Sequence, residues 1–123
     1  MYECLKSGAI INVDEKETLS DGTAGGIEKD SITFALCQKL IDHTVLVSEA
    51  DIKEAIKYLA INESMIIEGA AGVAVAGAIK RAHTLKGKKI AAIVCGRNIA
   101  FATFLEIMKE ESLINSPTSP ANL

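Results

Sequence analysis

Three short stretches of the chain carry residue types that can do chemistry, and each joins glycine to a polar group. Leu19-Ser20-Asp21-Gly22-Thr23-Ala24-Gly25-Gly26 fits neither a helical nor a strand period. A backbone this rich in glycine, which alone takes positive φ freely, either forms a solvent loop or comes close to a bound small molecule. Glu68-Gly69 stands where the apolar run Met65-Ile66-Ile67 gives way to a stretch with no polar side chain until Lys80. A carboxylate at such a junction is favoured by the dipole of the helix that follows and is costly if buried without a partner, so Glu68 marks either a cap or a site. Cys95-Gly96-Arg97-Asn98 follows the apolar run Ile90-Ala91-Ala92-Ile93-Val94. In open parallel sheets ligands collect beyond the carboxyl ends of strands, which sets a thiol there apart from a thiol elsewhere. The other reading of Cys95 is a small buried hydrophobe at a strand end.

Other titratable residues carry weaker signals. Cys4, Cys37 and Cys95 are odd in number, widely spaced and free of any C-x-x-C, so they suggest neither a disulfide framework nor a zinc site. A reducing cytoplasm is the simplest home for them. His43 falls near a helix end, where a cation is welcome, and reads as a capping or surface residue rather than a ligand.

The elements that must position these stretches follow from hydrophobic spacing. Met1 to Lys6 forms one helical turn ended by Gly8, and Ala9 to Val13 is short enough for a strand. Asp30 or Ser31 caps a helix through Ile32, Ala35, Leu36, Lys39 and Leu40, with Cys37 in its core. Thr44 to Val47 is β-branched and strand-like, and Ser48-Glu49-Ala50-Asp51 has the form of a capping box. In the helix after it, Ile52, Ala55, Ile56, Leu59 and Ala60 share one face, and Lys53, Glu54 and Lys57 take a solvated one. Gly69 to Lys80 should be a helix packed on nearly all sides, its three glycines Gly69, Gly72 and Gly77 serving close approach, since each costs a helix about 1 kcal/mol relative to alanine. Strands are expected at about 45–47, 65–67 and 90–94. Asn98 caps a last helix whose Phe101, Phe104, Leu105 and Met108 share a face. Pro117 and Pro120 among serines and asparagines place residues 112–123 in a disordered or surface tail.

Composition sets the outer bounds. At 123 residues the chain is one domain by length, and 49% apolar with 4% aromatic residues makes a core of Ala, Val, Ile and Leu, as in α/β proteins. A net charge of −3, with no basic cluster stronger than Lys86 to Lys89, argues against nucleic acid as a partner. No apolar window reaches the length of a membrane span, and Met1-Tyr2-Glu3-Cys4-Leu5-Lys6 lacks the pattern of an export signal.

Taken in order and spacing, Ser20 to Gly26 with Ile32-Thr33-Phe34-Ala35-Leu36-Cys37, then Glu68 to Ala76, then Val94-Cys95-Gly96-Arg97-Asn98, resemble the C-terminal part of pyridoxal-phosphate-dependent threonine and serine dehydratases of fold type II. The resemblance covers about 1–108. It implies an α/β fold: a partial, open, mostly parallel sheet in a three-layer α/β/α arrangement, part of the large domain of such an enzyme. By that reading 1–26 are a lead segment and glycine-rich active-site loop, 27–111 the α/β portion of the catalytic domain, and 112–123 the tail. Met1-Tyr2-Glu3-Cys4 looks like the middle of a domain, so a fragment is expected.

In that family the Schiff-base lysine, in a Ser-Phe-Lys context, and the glycine-rich loop that holds the cofactor phosphate lie upstream, and neither pattern occurs here. The resemblance therefore implies no catalytic residue in this chain. It implies a partial cofactor set: Gly22 by its backbone near the ring of pyridoxal phosphate, Glu68 near the ring's edge, Cys95 at the pyridine nitrogen, and Gly96 letting the backbone come close. A thiol at that nitrogen suits β-elimination, because it is a weak hydrogen-bond partner that does not force protonation as an aspartate would. The implied activity is that of an ammonia-lyase acting on serine, threonine or a β-hydroxy relative, inactive in this chain alone and self-associating through faces the missing half would cover. The alternative is a free-standing α/β module that binds a ligand or partner without catalysis.

Overall fold

The computed structural model describes residues 1–111, and the expected tail at 112–123 lies outside them. Among the described residues there are five α-helices: α1 (Tyr2–Ser7), α2 (Ile32–Leu40), α3 (Glu49–Glu63), α4 (Gly69–Lys80) and α5 (Phe101–Lys109), with short 3-10 turns at Asp21–Thr23 and Ala82–Leu85. Each helix lies where the hydrophobic spacing puts it.

Helix α3 shows why. Ser48 Oγ accepts from the Asp51 amide at 3.2 Å while the Ser48 amide donates to Asp51 Oδ2 at 2.7 Å, so two amides left over at the helix start are satisfied reciprocally. Ser64 ends the helix in the left-handed region, at φ 52°. Helix α1 ends on Gly8 at φ 77°, a conformation that costs a glycine little. The buried Cys4 of α1 accepts from the Ile11 amide at 3.4 Å through its sulfur, which ties the next segment down.

The core lies between α3 and α4, with α5 closing one side. Ile52, Ala55 and Ile56 of α3 meet Ala71, Val75 and Ala76 of α4, joined by Ile67, Phe104 and Ile107. At Gly72 an added Cβ would stand 3.1 Å from Ile52 Cγ2 and 3.3 Å from Ile56 Cγ1, so the helices approach more closely there than most side chains allow. Helix α4 is buried along Gly69, Ala71, Gly72, Val75 and Ala76, whereas Val73 and Ala74 are half-buried. No residue from 69 to 79 is exposed, so the helix is covered to some degree on all sides and most fully on that one face.

The expected sheet is not seen: among the described residues no strand forms, and 10–13, 41–47, 65–68 and 89–98 have no regular secondary structure. A single backbone bond joins two of these segments, from the Glu68 amide to the Gly96 carbonyl at 3.2 Å. An apolar run reports that side chains want burial, but a strand needs a partner backbone in register, and here Leu46, Ile90 and Ile93 face solvent instead.

Four smaller expectations are also corrected. Lys57 is buried, 2% exposed, because its ammonium reaches Glu54 Oε1 at 3.0 Å and the carbonyls of Glu110 and Glu111 at 3.1 and 3.3 Å, just beyond the end of α5. A cation is favoured at a helix C-terminus, and three acceptors offset its desolvation. Cys37 is only half-buried, since α2 buries no residue fully. Ala100, not Asn98, occupies the N-cap position of α5, and its buried residues are Phe104 and Ile107 while Phe101 is 69% exposed. No helix among the described residues is long and apolar enough to cross a membrane.

Candidate functional site

The three glycine-bearing stretches meet at the N-terminus of α4. Glu68 is its N-cap residue, with extended φ −82° and ψ 168°, yet its side chain makes no bond to the helix's own first-turn amides. The carboxylate turns away to accept from the Asn98 amide at 2.9 Å, while the Glu68 backbone pairs with Gly96. A Cβ built on Gly96 would fall 2.2 Å from the Glu68 carboxyl, so the carboxylate occupies the space that any other side chain at 96 would take. Arg97 Nε donates to the Ile66 carbonyl at 3.2 Å and completes the seam between 66–68 and 96–98. Glu68 therefore holds the N-cap position of α4 without capping it through its side chain.

The first glycine-rich stretch packs on the other side of the same helix start. A Cβ on Gly69 would lie 1.9 Å from the Leu19 carbonyl oxygen and 2.3 Å from its carbon, so the loop's backbone rests directly on the first turn of α4. Ser20 is buried, paired through its hydroxyl with Thr23, whose own hydroxyl donates to the Ser20 carbonyl at 3.0 Å. This closes the 3-10 turn that carries Gly22, whose virtual Cβ stands 3.9 Å from Ala70 Cβ in ordinary contact. The loop's floor is therefore fixed.

Of the residues singled out from sequence, Gly22, Glu68 and Gly96 surround one helix start, and Cys95 precedes Gly96 with its thiol exposed. The reading of Cys95 as a buried hydrophobe is not met. Two residues of the assembly were not foreseen in their roles. Asn98 serves through its backbone amide rather than as a helix cap. Glu49 holds the glycine-rich stretch: Thr18 Oγ1 donates to Glu49 Oε1 at 2.5 Å and the Leu19 amide to Glu49 Oε2 at 2.8 Å. Its place in the capping box hid that second use.

Chemically, the cluster offers a half-buried carboxylate lying on the Gly96 backbone, an exposed glycine at 22, and an exposed cysteine whose thiol can donate or accept weakly. No lysine stands among these residues, and Arg97 Nε is engaged with backbone.

Residues 1–96 match the family model described as pyridoxal-phosphate dependent enzyme, and the chain belongs to that family. It is 37% identical over 99 residues to an L-threonine ammonia-lyase of Thermotoga maritima, a match covering 80% of this chain and 24% of that protein. It is 32% identical over 111 residues to an L-threonine ammonia-lyase of Geobacter sulfurreducens, covering 89% of this chain and 27% of that one. Among solved structures, serine racemase from Dictyostelium discoideum, a fold type II enzyme, superposes with a TM-score of 0.68 at 30% identity over 80% of this chain and 31% of that one. The chain thus spans about a quarter to a third of the length of these relatives.

Proposed function

We propose that this chain is the C-terminal part of a pyridoxal-phosphate-dependent ammonia-lyase that converts threonine or serine to a keto acid and ammonia by β-elimination, the water lost in the elimination being taken up again when the resulting imine is hydrolysed. The observation that carries the reading is the seating of the Glu68 carboxylate on Gly96, with the Gly22 turn on the same helix start: the motifs that resemble the family's ring-binding set are one constellation in space. The residues fit the ring of the cofactor. The Glu68 carboxylate lies against the Gly96 backbone in the space a side chain at 96 would take, and Cys95 beside it is exposed. Pyridoxal phosphate supplies the electron sink for carbon–hydrogen bond cleavage when bound, and the protein supplies its orientation and electronics. In this reading the Gly22 backbone flanks the ring, Glu68 accepts at the ring's edge, Cys95 meets the pyridine nitrogen as a weak partner, and Gly96 gives the backbone room. The cofactor-holding lysine and the phosphate loop come from outside this sequence, so the chain alone turns over neither substrate.

Substituting this chain for the matching stretch of the Thermotoga maritima L-threonine ammonia-lyase tests the reading. The folded chimera should release 2-oxobutanoate from threonine, and Gly96→Leu in it should abolish release by displacing the Glu68 carboxylate. A folded chimera that binds pyridoxal phosphate and releases no keto acid overturns the assignment. With the chain alone, added cofactor and borohydride should label no single lysine stoichiometrically. Ile32, Leu36 and Leu40 line one face of α2 and are all exposed, which supports self-association, to be read as a dimer or larger species by light scattering. The free thiols suit a reducing, cytoplasmic compartment.

A further inference from the structure

Glu49 does two things that one acidic residue at a helix start need not do together. Its position in the first turn of α3 suits the helix dipole. Its two oxygens, however, are spent on a different segment, taking the Thr18 hydroxyl at 2.5 Å and the Leu19 amide at 2.8 Å, some thirty residues earlier in the chain. The carbonyl of that same Leu19 is the group against which Gly69 has no room for a Cβ. Leu19 is thus gripped at its N–H by α3 and seated at its C=O on the first turn of α4. Ser20, which is itself buried, follows it and leads into the exposed turn that carries Gly22. The chain of contact runs from Glu49 through one peptide unit to the floor of the candidate site.

We propose that Glu49 is a positioning residue, setting where the Ser20-Asp21-Gly22 turn lies against the Glu68-Gly69 helix start. Its importance for chemistry rests on the function proposed above; its mechanical role does not. A carboxylate is suited to the task because its two oxygens accept from two donors on adjacent residues, and such charge-assisted bonds are stronger than neutral ones. The competing reading is that Glu49 acts only on α3, as a first-turn acid.

The two readings separate on the full 123-residue chain with amide hydrogen exchange and amide chemical shifts. In Glu49→Ala the Leu19 amide should exchange faster by on the order of tenfold, and the Gly69 and Ala70 amides should shift, while the amides of Ile56 to Leu59 keep their protection. Glu49→Gln should restore most of both, because its carbonyl oxygen can accept from the Leu19 amide and its NH2 can donate to the Thr18 hydroxyl oxygen. Thr18→Val removes one of the two bonds to Glu49 and also the acceptor of the Ser20 amide at 3.1 Å, so the readout is kept to the Leu19 amide, where it should fall between; this carries the test if Glu49→Ala fails to fold. Exchange at Leu19 within twofold of wild type, with unmoved Gly69 and Ala70 amides, overturns the proposal. So does a Glu49→Gln variant equal to Glu49→Ala with faster exchange confined to Asp51–Lys53, the signature of a lost dipole interaction. Neither readout involves the cofactor, so an inactive chimera beside a positive exchange result would reject the ammonia-lyase reading and leave the role of Glu49 standing.

Discussion

The α3–α4 pair and the segments at 41–47 and 89–95 are built from the same kinds of apolar residue, but the first is packed far more completely, 41–47 reaching the core through Val47. Ile52, Ile56 and Val75 sit in the core, whereas Leu46, Ile90 and Ile93 are exposed, Ile93 by 72%. The difference lies in where each backbone finds its hydrogen bonds. A helix satisfies its own interior N–H and C=O groups and needs neighbours only for one face, while an extended run needs another backbone alongside before its side chains can be covered. The helical pair therefore needs only Ile67 and the α5 residues Phe104 and Ile107 to complete its core, while the apolar side chains of the other segments stay largely exposed. The seam between 66–68 and 96–98 is the one place where two of them touch through backbone, and it is there that the candidate site lies.

Core truncation should break this comparison most visibly. Ile56→Ala removes a side chain with no exposure at the α3–α4 contact and should cost about 2–5 kcal/mol of unfolding free energy, whereas Ile93→Ala should change it by less than about 0.5 kcal/mol. Urea unfolding followed by circular dichroism reads both. Equal losses would mean that the 89–95 segment is packed in solution and that its exposure is not the state of the molecule.

A second pair of variants tests the same contrast within the site. Gly69→Ala sets a Cβ against the Leu19 backbone, which cannot move without carrying the 3-10 turn with it, and should cost about 1–3 kcal/mol. Gly22→Ala meets only Ala70 Cβ at ordinary distance and should be within about 0.5 kcal/mol of wild type. Gly96→Ala falls between them, because the atoms it strikes are the end of the Glu68 side chain and can rotate away. A Gly22→Ala variant as unstable as Gly69→Ala would show that the turn is constrained by more than its seat on α4.

What could be read from the sequence divides along similar lines. The capping box at Ser48–Asp51 and the helical faces were legible because they depend on residues three or four apart, and local geometry fixes their meeting. The glycine stretches were legible as a set through their resemblance to a family, and in the structure 19–22, 68–69 and 96–98 lie together at the start of α4. Lys57 was not legible: a lysine on a charged helix face ordinarily stays in water, and only the arrival of the Glu110 and Glu111 carbonyls, fifty-three and fifty-four residues on, turns it inward. Glu49 was half legible, as part of a capping sequence, because nothing near it in the chain announces that Thr18 and Leu19 are its partners. The expected strands are not confirmed, for the opposite reason. Their apolar character is local and visible, but pairing is a relation between segments, and among the described residues the partners do not form it.

The smallest effect expected concerns Asp51, and it tests whether the helical pair holds its ends as firmly as its middle. The backbone hydrogen bond from Ser48 holds the Asp51 carboxyl below its ordinary value, helped by the Ser48 side chain and by Lys80, whose ammonium lies 3.2 Å away, against a desolvation that works the other way. A carboxylate whose pKa is lower in the folded state than in the unfolded one releases its proton more readily when folded, so its contribution is fully present above the unfolded value and is lost as the pH falls through the folded one. The window therefore opens near the ordinary aspartate range, about pH 4, and extends downward. Asp51 is more than a third exposed, so solvent screens it and the effect is small. Between about pH 4 and pH 2 the wild-type chain should lose helix at the start of α3 more steeply than Asp51→Asn, whose neutral side chain does not titrate; above about pH 5 the order of stability should favour wild type. Thermal unfolding at a series of pH values, with exchange at Asp51 and Ile52 as the local probe, checks it. Parallel acid limbs for the two proteins would mean that the capping box holds equally well with the proton on, and that α3 is secured by its packing on α4 right to its first turn.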